Sequence, residues 1–210
     1  MIRAPLRFAP FLRMVGIAAI ALALSGCISL LPKSKPAQLY RFGLPAAEVV
    51  PREGTVGVFQ SNGLFPNEAS GDRILTMDHG KAAYVAQSRW VAPAGVLWTQ
   101  AVQGAFDADP GRVRLNVRGQ AGKSEYVLRL DVRSFEARYE NGVGSAPTIV
   151  VRVRGVMSKM DMSKVTEQIF EVKAPASDNR VGAIVTAYDK AVTDVLGQIV
   201  TWANNTVAKT

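Results

Sequence analysis

Glu125-Tyr126-Val127-Leu128-Arg129-Leu130-Asp131-Val132-Arg133-Ser134-Phe135-Glu136-Ala137-Arg138-Tyr139-Glu140 is the longest stretch of the chain with the two-residue period of a β-strand. Tyr126, Leu128, Leu130 and Val132 share one phase, and Phe135, Ala137 and Tyr139 take the opposite one. A strand whose apolar side switches part-way carries an irregularity, so the pattern predicts a bulge or bend near Arg133-Ser134. Asn141-Gly142-Val143-Gly144 follows with the residues of a hairpin loop. Thr148 to Met157 returns with Ile149, Val151 and Val153 on one side and Arg152 and Arg154 on the other. Asp161-Met162-Ser163 is a polar connection, and Thr166 to Lys173 adds a strand with Phe170 and Val172 inward. Three consecutive antiparallel strands, a meander, is the simplest arrangement of this block.

Working outward, shorter strands precede it. Leu39 to Gly43 and Thr55 to Gln60 are candidates, the latter with Val56 and Val58 in alternation and Phe59 on the other face. Ile74 to Met77 and Ala82 to Ala86 flank Asp78-His79-Gly80, a turn-like sequence. Arg112 to Val117 alternates Val113, Leu115 and Val117 with Arg112, Arg114 and Asn116, the pattern of a half-buried strand. Two helices are expected. The first begins near Pro93, which suits a first helical turn, and carries Leu97, Ala101 and Ala105 beside Trp98, Val102 and Phe106 before Asp109-Pro110-Gly111 ends it. The second runs from about Asn179 to Asn205, with Ile184, Tyr188, Ala191, Val195, Ile199 and Trp202 at helical spacing and Ser177 or Asp178 as its cap. Such stripes read as core. The layout argues an α+β fold: an antiparallel sheet with two helices packed on one face, in a single domain.

The N-terminal segment has a different grammar. Arg3, Arg7 and Arg13 form a positive region without acids, and Met14 to Leu24 is continuously apolar. Leu24-Ser25-Gly26-Cys27 follows and contains the only cysteine of the chain. A positive, then apolar, then small-residue order is that of a secretory signal, and the apolar run is too short for a bilayer core of about 30 Å. The last four residues resemble the bacterial lipobox. Leu24, Ser25 and Gly26 would be the signal-peptidase recognition residues. The Cys27 thiol would take a diacylglyceryl group, and its new amino group an N-acyl chain after cleavage. Two or three chains anchor a protein durably, where one does not. The competing reading is an uncleaved anchor helix over Met14 to Leu31. By analogy with enteric bacteria, where Asp after the lipidated cysteine favours inner-membrane retention, Ile28 points to the outer membrane, with the domain in the periplasm. Pro32-Lys33-Ser34-Lys35-Pro36 reads as an extended tether. The expected organisation is a signal peptide over 1–26, the lipidated cysteine and tether over 27–37, and the periplasmic domain over 38–210.

The chain has 210 residues and a formal charge of +8, which three arginines of the signal inflate. The remaining Lys and Arg are scattered without a run of five or six, so the charge argues against nucleic acid. A single cysteine permits no intrachain disulfide. One histidine, His79, cannot be placed in a triad by any G-x-S-x-G elbow, and no H-E-x-x-H is present. In Met77-Asp78-His79-Gly80 it reads as a surface turn residue. One histidine and no free thiol in the mature chain leave few ligands for a transition metal. Asp107 and Asp109 at a helix end have no spacing that argues for catalysis. No catalytic, cofactor or metal residues are assigned, and the chain is not expected to be an enzyme.

With the lipobox at Cys27 come Leu39-Tyr40-Arg41-Phe42 after the tether, Asp72-Arg73-Ile74, Tyr84-Val85-Ala86, Trp90, then Pro93 with Trp98, Leu130-Asp131-Val132 with Phe135-Glu136, and a late helix from Ala187 to Trp202. In this order the chain resembles the ABC-type transport auxiliary lipoproteins, the partners of MCE-domain lipid-transport systems of the paraquat-inducible group. Leu75-Thr76-Met77 stands where the family has an aromatic. The resemblance implies an outer-membrane-anchored auxiliary lipoprotein that docks an MCE protein and helps lipids pass between inner and outer membranes without catalysis. Docking on a ring-shaped partner implies a homo-oligomer. The alternative is a structural or assembly lipoprotein of the outer-membrane envelope. Arg152 and Arg154 are candidate contact residues, against the plainer reading of a solvated face.

Overall fold

The computed structural model describes residues 36–43, 55–119 and 122–208. In chain order its elements are β1 (Gln38–Tyr40), β2 (Val56–Gln60), α1 (Asn67–Ser70), β3 (Arg73–Asp78), β4 (Lys81–Trp90), α2 (Ala94–Ala108), β5 (Val113–Asn116), β6 (Tyr126–Tyr139), β7 (Thr148–Lys159), β8 (Val165–Pro175) and α3 (Val181–Ala208). The eight strands form one sheet.

The meander β6-β7-β8 forms one side of it, with β8 at the edge. β6 and β7 pair antiparallel from Tyr126 opposite Lys159 to Arg138 opposite Thr148, and the register slips between Val132 and Ser134. The extra residue, Arg133, is the bulge that the phase change requires. On either side of it Leu130, Val132, Phe135 and Ala137 are all buried. β8 pairs antiparallel with β7 along its whole length, from Pro175 opposite Thr148 to Val165 opposite Ser158.

The sheet is mixed rather than wholly antiparallel. The second edge of β6 is shared by two parallel neighbours: β2 along Tyr126 to Leu128, and β3 along Ala137 to Tyr139. β5 lies parallel to β2, and β1 parallel to β4. Parallel neighbours need a crossover of a dozen or more residues, and the stretch from β2 through α2 to β5 supplies one. A two-residue period reports which face is buried and is silent on strand direction, so the direction of these short strands was not readable. The α+β class is unaffected.

Helix α2 starts directly after Pro93, as the proline suggests, and buries Leu97, Trp98, Ala101, Val102 and Phe106. α3 begins at Val181, a little later than expected. Ser177 and Asp178 do not cap it: the Asp178 carboxylate accepts from Arg180, and Asn179 ties the β6–β7 hairpin, accepting from the Tyr139 hydroxyl and donating to the Val143 carbonyl. α3 packs on β7, β8, β5 and α2, so the two long helices share one core with the sheet. α1 is a single short turn beside β3 and α2.

Five distant parts of the sequence meet in an aromatic cluster. Phe42, after β1, lies 4.9 Å from Trp90 and 5.0 Å from Phe135, ring centre to ring centre. Tyr188 of α3 touches both Trp90 and Phe135, and Phe65 closes on Phe135. Burying each such ring contributes about 1.5–3 kcal/mol, and aromatic pairs add about 0.5–1.5 kcal/mol. Nearby, the Arg73 guanidinium sits over the Tyr84 ring, and the Asp72 carboxylate accepts from Arg89 at 2.8 Å. The short motifs that carry the family resemblance are therefore packing partners.

Candidate functional site

The lipidation residue Cys27 and the recognition residues Leu24, Ser25 and Gly26 lie outside the described residues. His79 sits in the β3–β4 hairpin with φ of +45° beside Gly80 at +82°. Two successive left-handed residues make the primed turn that matches strand twist. The His79 ring is exposed, and its Nδ1 lies 2.6 Å from Asp78 Oδ1. It is a turn residue with a neighbouring carboxylate. Among the described residues no group of three or more His, Cys, Asp and Glu side chains is placed to hold a metal ion.

The face of the meander turned away from the helices is a ladder of charge. Strand pairing sets Asp131, Arg154 and Ile169 in one row across β6, β7 and β8, and Ser134, Arg152 and Glu171 in the next. Arg154 grips Glu167 with Nε and one terminal nitrogen, the latter at 2.6 Å, and that bond holds the Glu167 carboxyl below its ordinary pKa. Arg152 lies 3.5 Å from Glu171. The two candidate contact arginines are thus engaged with their neighbours on β8. Isolated exposed pairs of this kind contribute little to stability, but they fix the side chains across the face.

One member of the ladder is buried. The Asp131 side chain is 1% exposed. Its Oδ1 accepts from the Leu64 backbone N–H and from Arg129 Nε, both at 2.9 Å, while Oδ2 lies 3.8 Å from Arg133 and from Arg154. Burial works to raise its pKa; the Leu64 N–H and the arginines outweigh it and hold the carboxyl below the usual carboxylate range. The site closes a gap in the sheet. Between β2 and β3 the middle of β6 has no strand neighbour, and the segment 61–64 runs there instead. Ser61 N–H donates to the Leu128 carbonyl, and Val132 N–H to the Leu64 carbonyl. Gly63 lies so close that a β-carbon would stand 1.8 Å from the Leu130 carbonyl oxygen. The strand reading placed Asp131 in the polar phase and had no means of knowing that a loop would cover it; the alternation Arg129, Asp131, Arg133 was its only signal.

Two open grooves flank this architecture. One of about 700 Å³ follows β8 and α3 past Thr166, Gln168, Thr201 and Trp202. The Trp202 ring packs edge-on against Phe170, at 5.5 Å, and over Gly155. The other, of about 550 Å³, lies between the 59–65 segment and α2, with Phe59, Phe65, Trp98 and Arg118 on its walls. Beside it Gln60 Oε1 is buried without a hydrogen-bond partner among the described residues. Neither groove gathers an acid, a base and a nucleophile. Among the described residues the surface presents a face of paired charges, an unpaired strand edge on β8 and two mixed grooves.

Residues 66–200 match the model of a family described as the ABC-type transport auxiliary lipoprotein component. No curated protein matches the sequence. Among solved structures, a Xanthomonas campestris protein of the DUF330 family superposes with a TM-score of 0.67 at 20% identity, covering 82% of this chain and 98% of its own. An uncharacterised protein superposes with a TM-score of 0.61 at 12% identity, covering 80% of this chain and 99% of its own. At such identities the likeness is one of fold. Among the described residues no helix is long and apolar enough to cross a membrane.

Proposed function

We propose a role that starts from one premise: this chain belongs to the ABC-type transport auxiliary lipoprotein family. Its signal peptide, residues 1–26, is removed. Cys27 then carries a diacylglyceryl thioether and an N-acyl chain, and residues 27–37 tether the domain that follows. Ile28, where Asp favours the inner membrane, directs the protein to the outer membrane, with the domain in the periplasm. There it docks the MCE-domain component of an ABC-type transporter and helps form a path for lipids between the two membranes. Lipids cross water slowly alone, so such a path must be held at both ends. The acyl anchor fixes one end, and the domain meets the partner. The protein acts by binding and positioning.

The observation that carries this reading is the family match over residues 66–200, on a chain whose Leu24-Ser25-Gly26-Cys27 resembles a lipobox. The test is a crosslinked pull-down of the full-length protein from its own membranes, read by mass spectrometry beside a Cys27→Ala control. Recovery of an MCE-domain protein, reduced in the control, is the expected result. Recovery of only envelope-assembly or peptidoglycan-bound proteins overturns it and promotes the role of an assembly lipoprotein.

A further inference from the structure

β8 has one partner, β7, and among the described residues its other edge is unpaired. It is the longest such edge of the sheet: β1 and β5, which end the other path, have three and four residues against its eleven. The pairing identifies which of its backbone groups point outward. Just beyond the last β7–β8 pair, Ser158 opposite Val165, Lys159 N–H donates to the Lys164 carbonyl; Ala176 N–H donates likewise to the Pro147 carbonyl at the other end. Even-numbered residues of β8 therefore bond to β7. The N–H and C=O groups of Val165, Glu167, Ile169, Glu171 and Lys173 face away from it, because hydrogen-bonded and non-bonded positions alternate along an antiparallel strand. The side chains of these same residues lie on the uncovered face, with Val165 55% and Ile169 53% exposed.

Edge strands usually carry charges that discourage a second edge. On β8 the charges do the opposite in one register. We propose that a second copy of this chain adds to β8, antiparallel and edge to edge, with Glu167 opposite Lys173 and Ile169 opposite Glu171 of the other copy. The arrangement has a two-fold axis through Phe170, so each contact occurs twice. Each facing pair exchanges both of its outward hydrogen bonds. The run stops before Pro175, which has no N–H to give. The two Ile169 side chains stand diagonally across the axis, within reach of one another. Sliding one step in either direction is opposed by charge: Glu167 then faces Glu171, or Glu171 faces its own copy. Like charges directly opposite on a sheet are destabilising. Hydrogen bonding, the proline and the charge pattern thus select one register. The inference draws only on strand geometry and charge and does not depend on the transport reading.

The test uses the full chain in its own membranes. Two differently tagged copies are expressed together, one with Ile169→Cys and the other with Glu171→Cys, and oxidised. Facing residues of a bonded antiparallel pair have Cα atoms about 5.5 Å apart, within disulfide range. A mixed-tag disulfide dimer is expected. Each variant expressed alone should form far less, because like positions lie beyond that range. Glu167→Lys and Lys173→Glu, each introduced separately into both tagged copies, should each lower the yield roughly tenfold. Both reversals in one chain should restore it, which loss of the Glu167–Arg154 contact within one copy cannot explain. Absence of the mixed disulfide overturns the proposal. So does an equal yield from Arg114→Cys on the β5 edge, or a double reversal no better than the singles. The background from Cys27 is measured in the chain without added cysteines, and the partner recovered by pull-down has no bearing on the result.

Discussion

Replacing Asp131 by alanine should cost about 2–3 kcal/mol, most of it from one orphaned N–H. The Leu64 N–H donates to Asp131 Oδ1 at 2.9 Å from a segment that seals the middle of β6. Leaving a buried donor unpaired costs about 1–3 kcal/mol. The arginines recover part of their loss, because Arg129 and Arg133 are 47% and 48% exposed and rehydrate when the carboxylate goes. Asp131→Asn keeps an acceptor for Leu64 and gives up only the charge, so its cost should be about 1 kcal/mol. The pH dependence separates the two effects. The folded carboxyl has a lowered pKa, so its contribution is fully present above the unfolded value near 3.9 and disappears as pH falls through the folded value. The gap between wild type and Asp131→Asn should be constant from pH 5 to 8 and close below about pH 4. Urea unfolding of the unit from Ala37 onward, followed by tryptophan fluorescence, measures both. A midpoint for Asp131→Ala within about 0.5 kcal/mol of wild type refutes the latch. A gap to Asp131→Asn that widens towards pH 3 refutes the assigned charge state.

Two further outcomes follow. Gly63→Ala should be more damaging than any loop substitution has a right to be, about 3 kcal/mol or more, because its β-carbon would stand 1.8 Å from backbone at Leu130; a thermal midpoint matching wild type would mean the 61–64 segment does not lie on β6. Cys27→Ala should move the protein from the carbonate-resistant membrane fraction to the supernatant and abolish labelling by a radioactive fatty acid; persistence in the membrane would replace the acyl anchor with an uncleaved helix.

The long strands were legible because their faces are unlike. β6 buries Leu130 and Val132 on one side of Arg133 and Phe135 and Ala137 on the other, so its bulge was written in the alternation itself. α3 was legible for the same reason at the helical period, down to Ile184, Tyr188 and Ile199 in the core. Direction and neighbourhood were not. Nothing in Val56 to Gln60 states that β2 runs parallel to β6, because that pairing is decided by the crossover through α2 and by competition for a single edge. The start of α3, at Val181 and two residues past Asn179, has a related cause: Asn179 is spent on Tyr139 and Val143, a contact between segments that are remote in sequence.

The same distinction explains what became of the candidate contact residues. Arg152 and Arg154 were identified from the polar phase of β7, and that phase is real, yet whether an arginine on such a face is available depends on what the next strand sets beside it. β8 sets Glu167 and Glu171 there, and the guanidinium groups are taken. The residues with unused capacity lie one strand further out, where the backbone itself is unpaired among the described residues. Sequence shows a charge as soon as it shows a residue, but a free hydrogen-bonding edge exists only once the sheet order is known. On this protein the order leaves β8 outermost, with Glu167 and Lys173 spaced about a residue that would lie on a two-fold axis, so the feature best suited to binding another chain belongs to the pairing of strands and to no motif.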